Sequence, residues 1–577
     1  MKKIYITIST LLLCGSMLMA QTPANRTAKT VTADVLAQMP AERQAEYNKL
    51  IGELSSVGEE AVLNLVSKIN APGKGSNSQV EYALSGLSHF VMAQGKEDAR
   101  LVVSNAYVKA LDQVQDNEIK SFIISQLRIV GKAEAVDALS AYLADPYLSS
   151  AAARALSSNG SAEAGAALKA GLLRRMGTPE TQKNIIEAIA EIRLDGVEDI
   201  LIPMLQNGDA DMKKVVLYAL SRTGSEKSLD VVGKAAEAAG YTMEPTGATE
   251  AYIALIKNLA TKGEIKVAEK AANTLMKKAT KAQQVHAREA ALEILMSVKE
   301  TEDATKLLLA AMKDANKQYR NAALNFASSF INQEGYIELA KYMVKAKPEP
   351  KVDILNWFGR EAKCPKKHDV IKNLMLRFDL SFAQVLTQQL NNEDFAVQQA
   401  AAWTMVKIGD KGYIQTLANL LTSDNKQVVL LAQDALLAFP GDINGAVASA
   451  IGKAQSLGKI AGVELLAARM ADSKINTVLE QTKSPDAAVK MAAYTALKSV
   501  ATAQDFTQLC GMLESAESNY VAPMQDAVIA SVLAMPKNQQ VESLKRRMLQ
   551  AGSEKSVLYY KVLSATDDKE AFATILE

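Results

Sequence analysis

Histidine is the side chain that most often moves protons near neutral pH, and this chain has three: His89, His286 and His368. His89 stands among apolar residues, close to Leu87 and Phe90, and reads as a satisfied packing residue. His286 lies among polar residues in the first turns of a helix and reads as a surface side chain. His368 belongs to the run Cys364-Pro365-Lys366-Lys367-His368-Asp369, which offers a thiolate, an imidazole and a carboxylate, all of them zinc ligands. A structural zinc site takes ligands from paired short motifs, and no second CxxC or HxxxH completes this one, so the run reads as a lysine-rich loop. Gly73-Lys74-Gly75-Ser76 has the residue types of a phosphate cradle without P-loop spacing or a preceding strand, and reads as a linker. The expectation is a chain with no catalytic, cofactor-binding or metal-binding residue.

Two further groups could bind rather than react. Lys257, Lys262, Lys266, Lys270, Lys277, Lys278 and Lys281 are interleaved with Ile256, Leu259 and Ala272. That alternation is expected of the wet face of a helix pair rather than of an anion-binding strip. Trp403 lies within a well-formed helix and is expected in the core. Trp357, beside Phe358, is also expected in the core, with a stronger case than Trp403 for an exposed anchor at an interface.

The elements that carry these residues are helical. The chain has 577 residues, too many for one ordinary compact core, so it must be several domains or a repeat array. Hydrophobic residues make up 48% and charged ones 22%, which excludes disorder, and aromatics only 5%, which favours helix over strand. The formal charge of +1 gives no overall field for nucleic acid or an anionic membrane. Lys2 and Lys3 followed by an apolar run over 4–13 have the form of a secretory leader, with Leu18-Met19-Ala20 as its cleavage site and Gln21 as the new N-terminus. Cleavage would remove two positive charges and leave about −1. A lipoprotein leader using Cys14 is the weaker reading, because the bulky Leu13 stands where such leaders have a small residue. Beyond the leader, Cys364 and Cys510 lie too far apart in an array to pair. No further apolar stretch is long enough to cross a membrane. The expectation is an exported chain, periplasmic or secreted.

Internal self-similarity carries the fold. In the stretch from Asp211 to Gly224, Met212, Val215, Val216, Ala219, Leu220 and Thr223 fall on one helix face, and Gly224 is expected to stop that helix in the left-handed conformation. Leu229, Val232 and Ala236 then mark a second helix. The same pattern runs from Asp394 through Val397, Ala400, Ala401 and Met405 to Gly409, opens again at Asp424 with Val428 and Ala432, and again at Pro485-Asp486 with Val489 and Ala493. Earlier copies hold Ile119, Ile123, Leu127 and Gly131, and Thr178-Pro179-Glu180 with Ile185 and Ile189. Stop points recur about every 30 to 38 residues.

An opening Asp, a valine three or four residues on, spaced alanines and a closing Gly resemble HEAT repeats over roughly residues 115–565. The arginine common after the valine in such repeats is replaced by Lys490, Gln398 or Val216, which takes away the arginines an Asp–Arg ladder would need. The resemblance implies an all-α fold, a right-handed alpha-alpha superhelix, that is, a HEAT-type helical-repeat solenoid. The expected organisation is a signal peptide over 1–20, an N-terminal helical cap over 21–115 and the repeat array over 116–577, with joints near 240–247 and 346–366. Within the cap, 22–30 is polar and expected to be disordered, and 40–57, 59–69, 78–94 and 97–114 read as helices.

Such arrays bind proteins or peptides on an extended surface, so the expected function is an exported scaffold for a protein or peptide partner, without catalysis, cofactor or nucleic acid. The segments from Gly58 to Gly75 and from Tyr82 to Leu87 also resemble the start of exported Gram-negative HEAT proteins, some of which carry a keto-disaccharide hydrolase-like domain after the array. The last helix, with Phe572, Ile575 and Leu576 on one side, has no polar capping repeat. The alternative is therefore the array portion of a carbohydrate-active protein, with carbohydrate as a partner only if a further domain follows.

Overall fold

The computed structural model describes residues 26–377 and 380–576; the expected leader and Cys14 lie outside them. Among the described residues the fold is all-α apart from one two-stranded antiparallel hairpin, Met375–Arg377 with Leu380–Ser381. No helix among the described residues is long and apolar enough to cross a membrane. The chain divides into two compact units, Met1–Val298 and Lys299–Glu577.

In the first unit successive helices alternate between two rows. One row runs through Gln44–Val57, Ser78–Val91, Asn117–Val130, Ser149–Asn159, Pro179–Glu191, Ala210–Thr223, Ala248–Thr261 and Val285–Val298, each packed on the next. Their partners, among them Glu97–Gln113, Ala162–Leu173, Glu226–Ala238 and Ile265–Lys281, form the other row. This is a helical-repeat solenoid: each pair buries its apolar stripe only against its neighbours. Of the stretch over 22–30 expected to be disordered, 22–25 lie outside the described residues, and 28–30 are already helical. Thr27 caps Ala28–Ala37, whose Val31 and Val35 are buried.

Local capping explains where the row helices begin. Asp116 Oδ1 accepts from the backbone N–H groups of Glu118 and Ile119, and Asp394 and Asp486 cap their helices in the same way. In two repeats the cap is not the Asp expected from the pattern. Asp209, two residues before Asp211, accepts from Met212 N at 2.8 Å, and Asn425 rather than Asp424 caps Lys426–Ala438. Gly224 also works differently from the expectation. Its φ is −66°, so no left-handed turn is made. A Cβ there would lie 2.5 Å from Leu220 O and 3.0 Å from both Leu255 Cδ1 and Ser228 Cβ, so the glycine permits close approach. Gly409, at φ 69°, is the left-handed case.

A half-buried ion pair pins the N-terminal pairs. Arg100, from Glu97–Gln113, donates to Glu134 Oε1 and to Val130 O, both at 2.6 Å. Burial alone would raise the Glu134 pKa, but hydrogen bonds from Arg100 and from backbone N–H groups outweigh it and hold it at about 2. A lowered folded-state pKa stabilises above the ordinary carboxylate range, and that contribution is lost as the pH falls from about 4.5 to about 2. Glu134→Gln is expected to cost about 2 kcal/mol at pH 7. The cost should shrink markedly at pH 3, as read from thermal midpoints by circular dichroism; an equal loss at both pH values would contradict this account.

The second unit keeps the two-row plan, with Lys317–Phe330, Pro348–Glu361, Phe395–Ile408, Lys426–Ala438, Ser456–Ala468, Ala487–Val500 and Ser518–Leu533 in one row. The prolines near 346–366 start helices: Pro348 opens Pro348–Glu361 and Pro365 opens Pro365–Lys372, positions where the missing N–H costs nothing. The unit contains one rung of the ladder for which the parsed repeats had no arginine. Arg320, 1% exposed, donates through Nε to Asp353 Oδ2 at 2.8 Å, from one row helix to the next.

Candidate groove on the first unit

The row face of the first unit carries a series of grooves. The first, about 400 Å³, lies between Ser78–Val91 and Asn117–Val130 and includes Glu81, Glu118 and Phe122. Farther along, a groove of about 490 Å³ crosses Ser149–Asn159, Pro179–Glu191 and Ala210–Thr223. It adjoins one of about 540 Å³ that reaches Ala248–Thr261, and Lys214 and Tyr218 line both.

Most lining side chains stand on faces their helices turn away from the core, while Ala188, Ser221, Ala251 and Asn258 form a buried floor. In Ala210–Thr223, Met212, Val216, Ala219, Leu220 and Thr223 face inward, which leaves Lys214, Tyr218 and Arg222 outward at four-residue spacing. Tyr218 is 40% exposed, donates to Glu191 Oε1 at 2.7 Å, and has Arg222 over its ring at 5.4 Å. The bond to Glu191 and then burial raise the phenol pKa, so Tyr218 is neutral near pH 7 and offers an amphipathic surface.

Below Tyr218 the helix ends are tied by a polar ladder. Arg222 Nε donates to Ala190 O at 2.9 Å, Asn258 Nδ2 donates to Arg222 O at 3.0 Å, and Arg193 Nη1 donates to Asn258 Oδ1 at 3.0 Å. These bonds satisfy carbonyls at the ends of successive helices and fix the two guanidinium groups. The groove therefore has an ordered floor, one aromatic side chain and charged rims. These are groups suited to binding, and no nucleophile–base pair stands among them.

The residues singled out in the sequence are scattered. His89 is exposed rather than packed, because its helix turns Leu84, Leu87, Ser88 and Val91 inward. His286 is half-buried near the start of Val285–Val298. His368 Nδ1 lies 2.9 Å from Ala362 O, and Cys364 precedes the Pro365–Lys372 helix as a half-buried free thiol. Among the described residues no group of three or more potential ligands converges on one point. Gly73-Lys74-Gly75-Ser76 forms a turn closed by Asn70 and Asn77, whose side chain bonds both backbone groups of Asn70.

Lys266, Lys270, Lys277 and Lys281 are exposed, while Lys257 and Lys278 pair with Glu293 and Glu237. Of that stretch, Lys257 is a groove residue. Of the two tryptophans expected in the core, only one lies there. Trp357 is 1% exposed, stacks on Tyr336 at 5.3 Å and donates to Ser328 Oγ, whereas Trp403 is only half-buried. In the second unit a pocket of about 610 Å³ has its charges closed on one another, Lys372 on Asp410 at 2.9 Å.

Sequence reasoning missed Arg154, Glu187, Glu191, Arg193, Lys214, Tyr218 and Arg222 as a group. The available signal was weak: Lys214, Tyr218 and Arg222 sit four apart on the polar face of a helix that was read for its apolar face.

The two rows of helix pairs make the chain a helical-repeat solenoid. Residues 370–437 match the family model described as HEAT repeats. No curated protein matches the chain. Among solved structures, the Kap95:Nup1 complex aligns over 93% of this chain and 82% of its own, at 10% identity and a TM-score of 0.38. Kap121p bound to Nup53p aligns over 93% of this chain at 11% identity and a TM-score of 0.35, and the karyopherin Kap121p bound to the SUMO protease Ulp1p over 92% at 12% and 0.33. This chain spans 56% and 57% of the length of those two Kap121p chains.

Proposed function

We propose that this solenoid is an exported scaffold and that the row face of its first unit binds an extended segment of a protein partner. The observation that carries the reading is the pair of adjoining grooves, about 490 and 540 Å³, which share Lys214 and Tyr218 and cross four successive row helices. An open groove of this kind suits a chain running across helices better than it suits a compact small molecule, which is normally enclosed. Tyrosine and arginine on an ordered floor are the residue types that dominate binding energy at interfaces. Export rests on the leader-like pattern of residues 1–20.

A photo-crosslinking residue in place of Val215, in the groove, is expected to trap a protein partner in the exported fraction of the producing cells. The same residue in place of Lys266, on the other row, should not. Equal or absent trapping would overturn the binding face. A trapped chain that still carries residues 1–20 by mass would overturn the export.

A further inference from the structure

Resting on that reading, we propose that the groove between Pro179–Glu191, Ala210–Thr223 and Ala248–Thr261 receives an acidic stretch of the partner, some of whose carboxylates sit among Arg193, Lys214, Arg222 and Lys257. Against these four cations the groove lining holds one carboxylate, Glu250. Lys257 is paired with Glu293 at 2.7 Å, and the nearest carboxylate contact of Arg222 is Glu191 at 3.8 Å. Arg193 and Lys214 have no acidic partner among the described residues. The excess is local, because the 400 Å³ groove on the same row has Glu81 and Glu118 in its lining and no Lys or Arg. The 490 Å³ groove between them is balanced, with Arg154 and Lys214 against Glu187 and Glu191, so the face grades from basic to acidic, which favours a chain whose charges match in one direction.

The cations are also held ready. Arg222 is fixed through Ala190 O, and Arg193 through Asn258, so part of the ordering entropy is spent before any ligand arrives. The Thr246 and Thr261 hydroxyls donate to Glu244 and to Lys257 O, which leaves their oxygens as acceptors for peptide N–H groups. An occupant that also fills the adjoining groove crosses three helix-to-helix steps of about 8–10 Å each. At about 3.3 Å per extended residue that is roughly eight residues. A free inorganic anion would use the cations and ignore the rest of this surface.

The test uses the chain from Gln21 and two fluorescent decapeptides, one with alternating Glu and Ser and the other with alternating Lys and Ser, read by anisotropy. The Glu peptide is expected to bind, to weaken steeply between low salt and 0.3 M salt, and to bind about tenfold more weakly to Arg193→Gln/Lys214→Gln. The Lys peptide should not bind at that groove, and Lys266→Gln/Lys270→Gln on the other row should leave the Glu peptide's affinity unchanged. Equal binding of both peptides, equal loss in the two double variants, or no binding of the Glu peptide would each overturn the proposal. Trapping at position 215 distinguishes the two failures: a partner captured there on a segment without Asp or Glu keeps the scaffold and removes the acidic ligand.

Discussion

Asp353→Ala is expected to cost the second unit about 3–5 kcal/mol, because it leaves a buried guanidinium without its buried counter-charge. Arg320 is 1% exposed and Asp353 5% exposed, and their contact at 2.8 Å joins Lys317–Phe330 to Pro348–Glu361. Arg320 Nη1 also donates to Asp314 O at 2.9 Å and to Ala315 O at 3.0 Å, so the guanidinium organises the turn before its own helix. Those bonds remain in the alanine variant, but carbonyls do not neutralise the charge, and the other nearby carboxylate, Glu349 at 3.6 Å from Arg320 Nη2, is exposed and screened by water. Arg320→Met/Asp353→Leu should recover most of the loss, since removing both members of a buried pair is far less costly than removing one. The readout is built into the sequence. The chain has two tryptophans, Trp357 and Trp403, and both lie in the second unit, so tryptophan fluorescence in urea follows that unit. A loss below about 1 kcal/mol would mean that the pair is solvated and not the rung described.

Gly458→Ala is expected to destabilise the same unit by about 3 kcal/mol or more. A Cβ at Gly458 would lie 1.8 Å from Leu421 O and 2.9 Å from Leu421 C, and a backbone carbonyl cannot rotate away as a side chain could. The Ser456–Ala468 helix must move away from the Leu420–Thr422 turn, which opens the interface around Ala461, Leu465 and Leu466. Gly445→Ala is the matched control. Gly445 is exposed in Asn444–Ile451 with nothing within 4 Å of a built Cβ, so alanine there should stabilise by about 0.5–1 kcal/mol through lower backbone entropy in the unfolded chain. Urea midpoints for the two variants should move in opposite directions. If Gly458→Ala shifts the midpoint no more than Gly445→Ala does, the helices are farther apart than described.

Much of this architecture is written locally. A three- and four-residue spacing such as Met212, Val216, Ala219, Leu220 and Thr223 needs no partner to be recognised, because it states which side of one helix avoids water. Caps such as Asp394 and Asp486 act within three residues of themselves, so the sequence determined the helices, most of their starts, the all-α class and the recurrence. It also placed the exposed side of Ile265–Lys281 through Lys266, Lys270, Lys277 and Lys281.

What needed the tertiary structure depends on the register between helices some 30 residues apart. Asn316-Lys317-Gln318-Tyr319-Arg320 matches the cap-to-arginine spacing of a HEAT repeat, yet only packing shows that Asp353 meets Arg320. Trp357 and Trp403 have similar local patterns, and the aromatic cluster of Tyr336, Phe358 and Phe382 decides which one is buried. Gly224 and Gly409 both end helices, but close approach, to its own Leu220 carbonyl and to Leu255 of the next row helix, sets the role of the first and a left-handed turn that of the second. The groove follows the same rule. Arg154, Glu187, Tyr218 and Lys257 are each ordinary outward positions of separate helices, and they share a surface because successive row helices pack on one another. Helical period reports which way a residue faces from its own axis; the residues it will face with are set by the distance and register of the next helix.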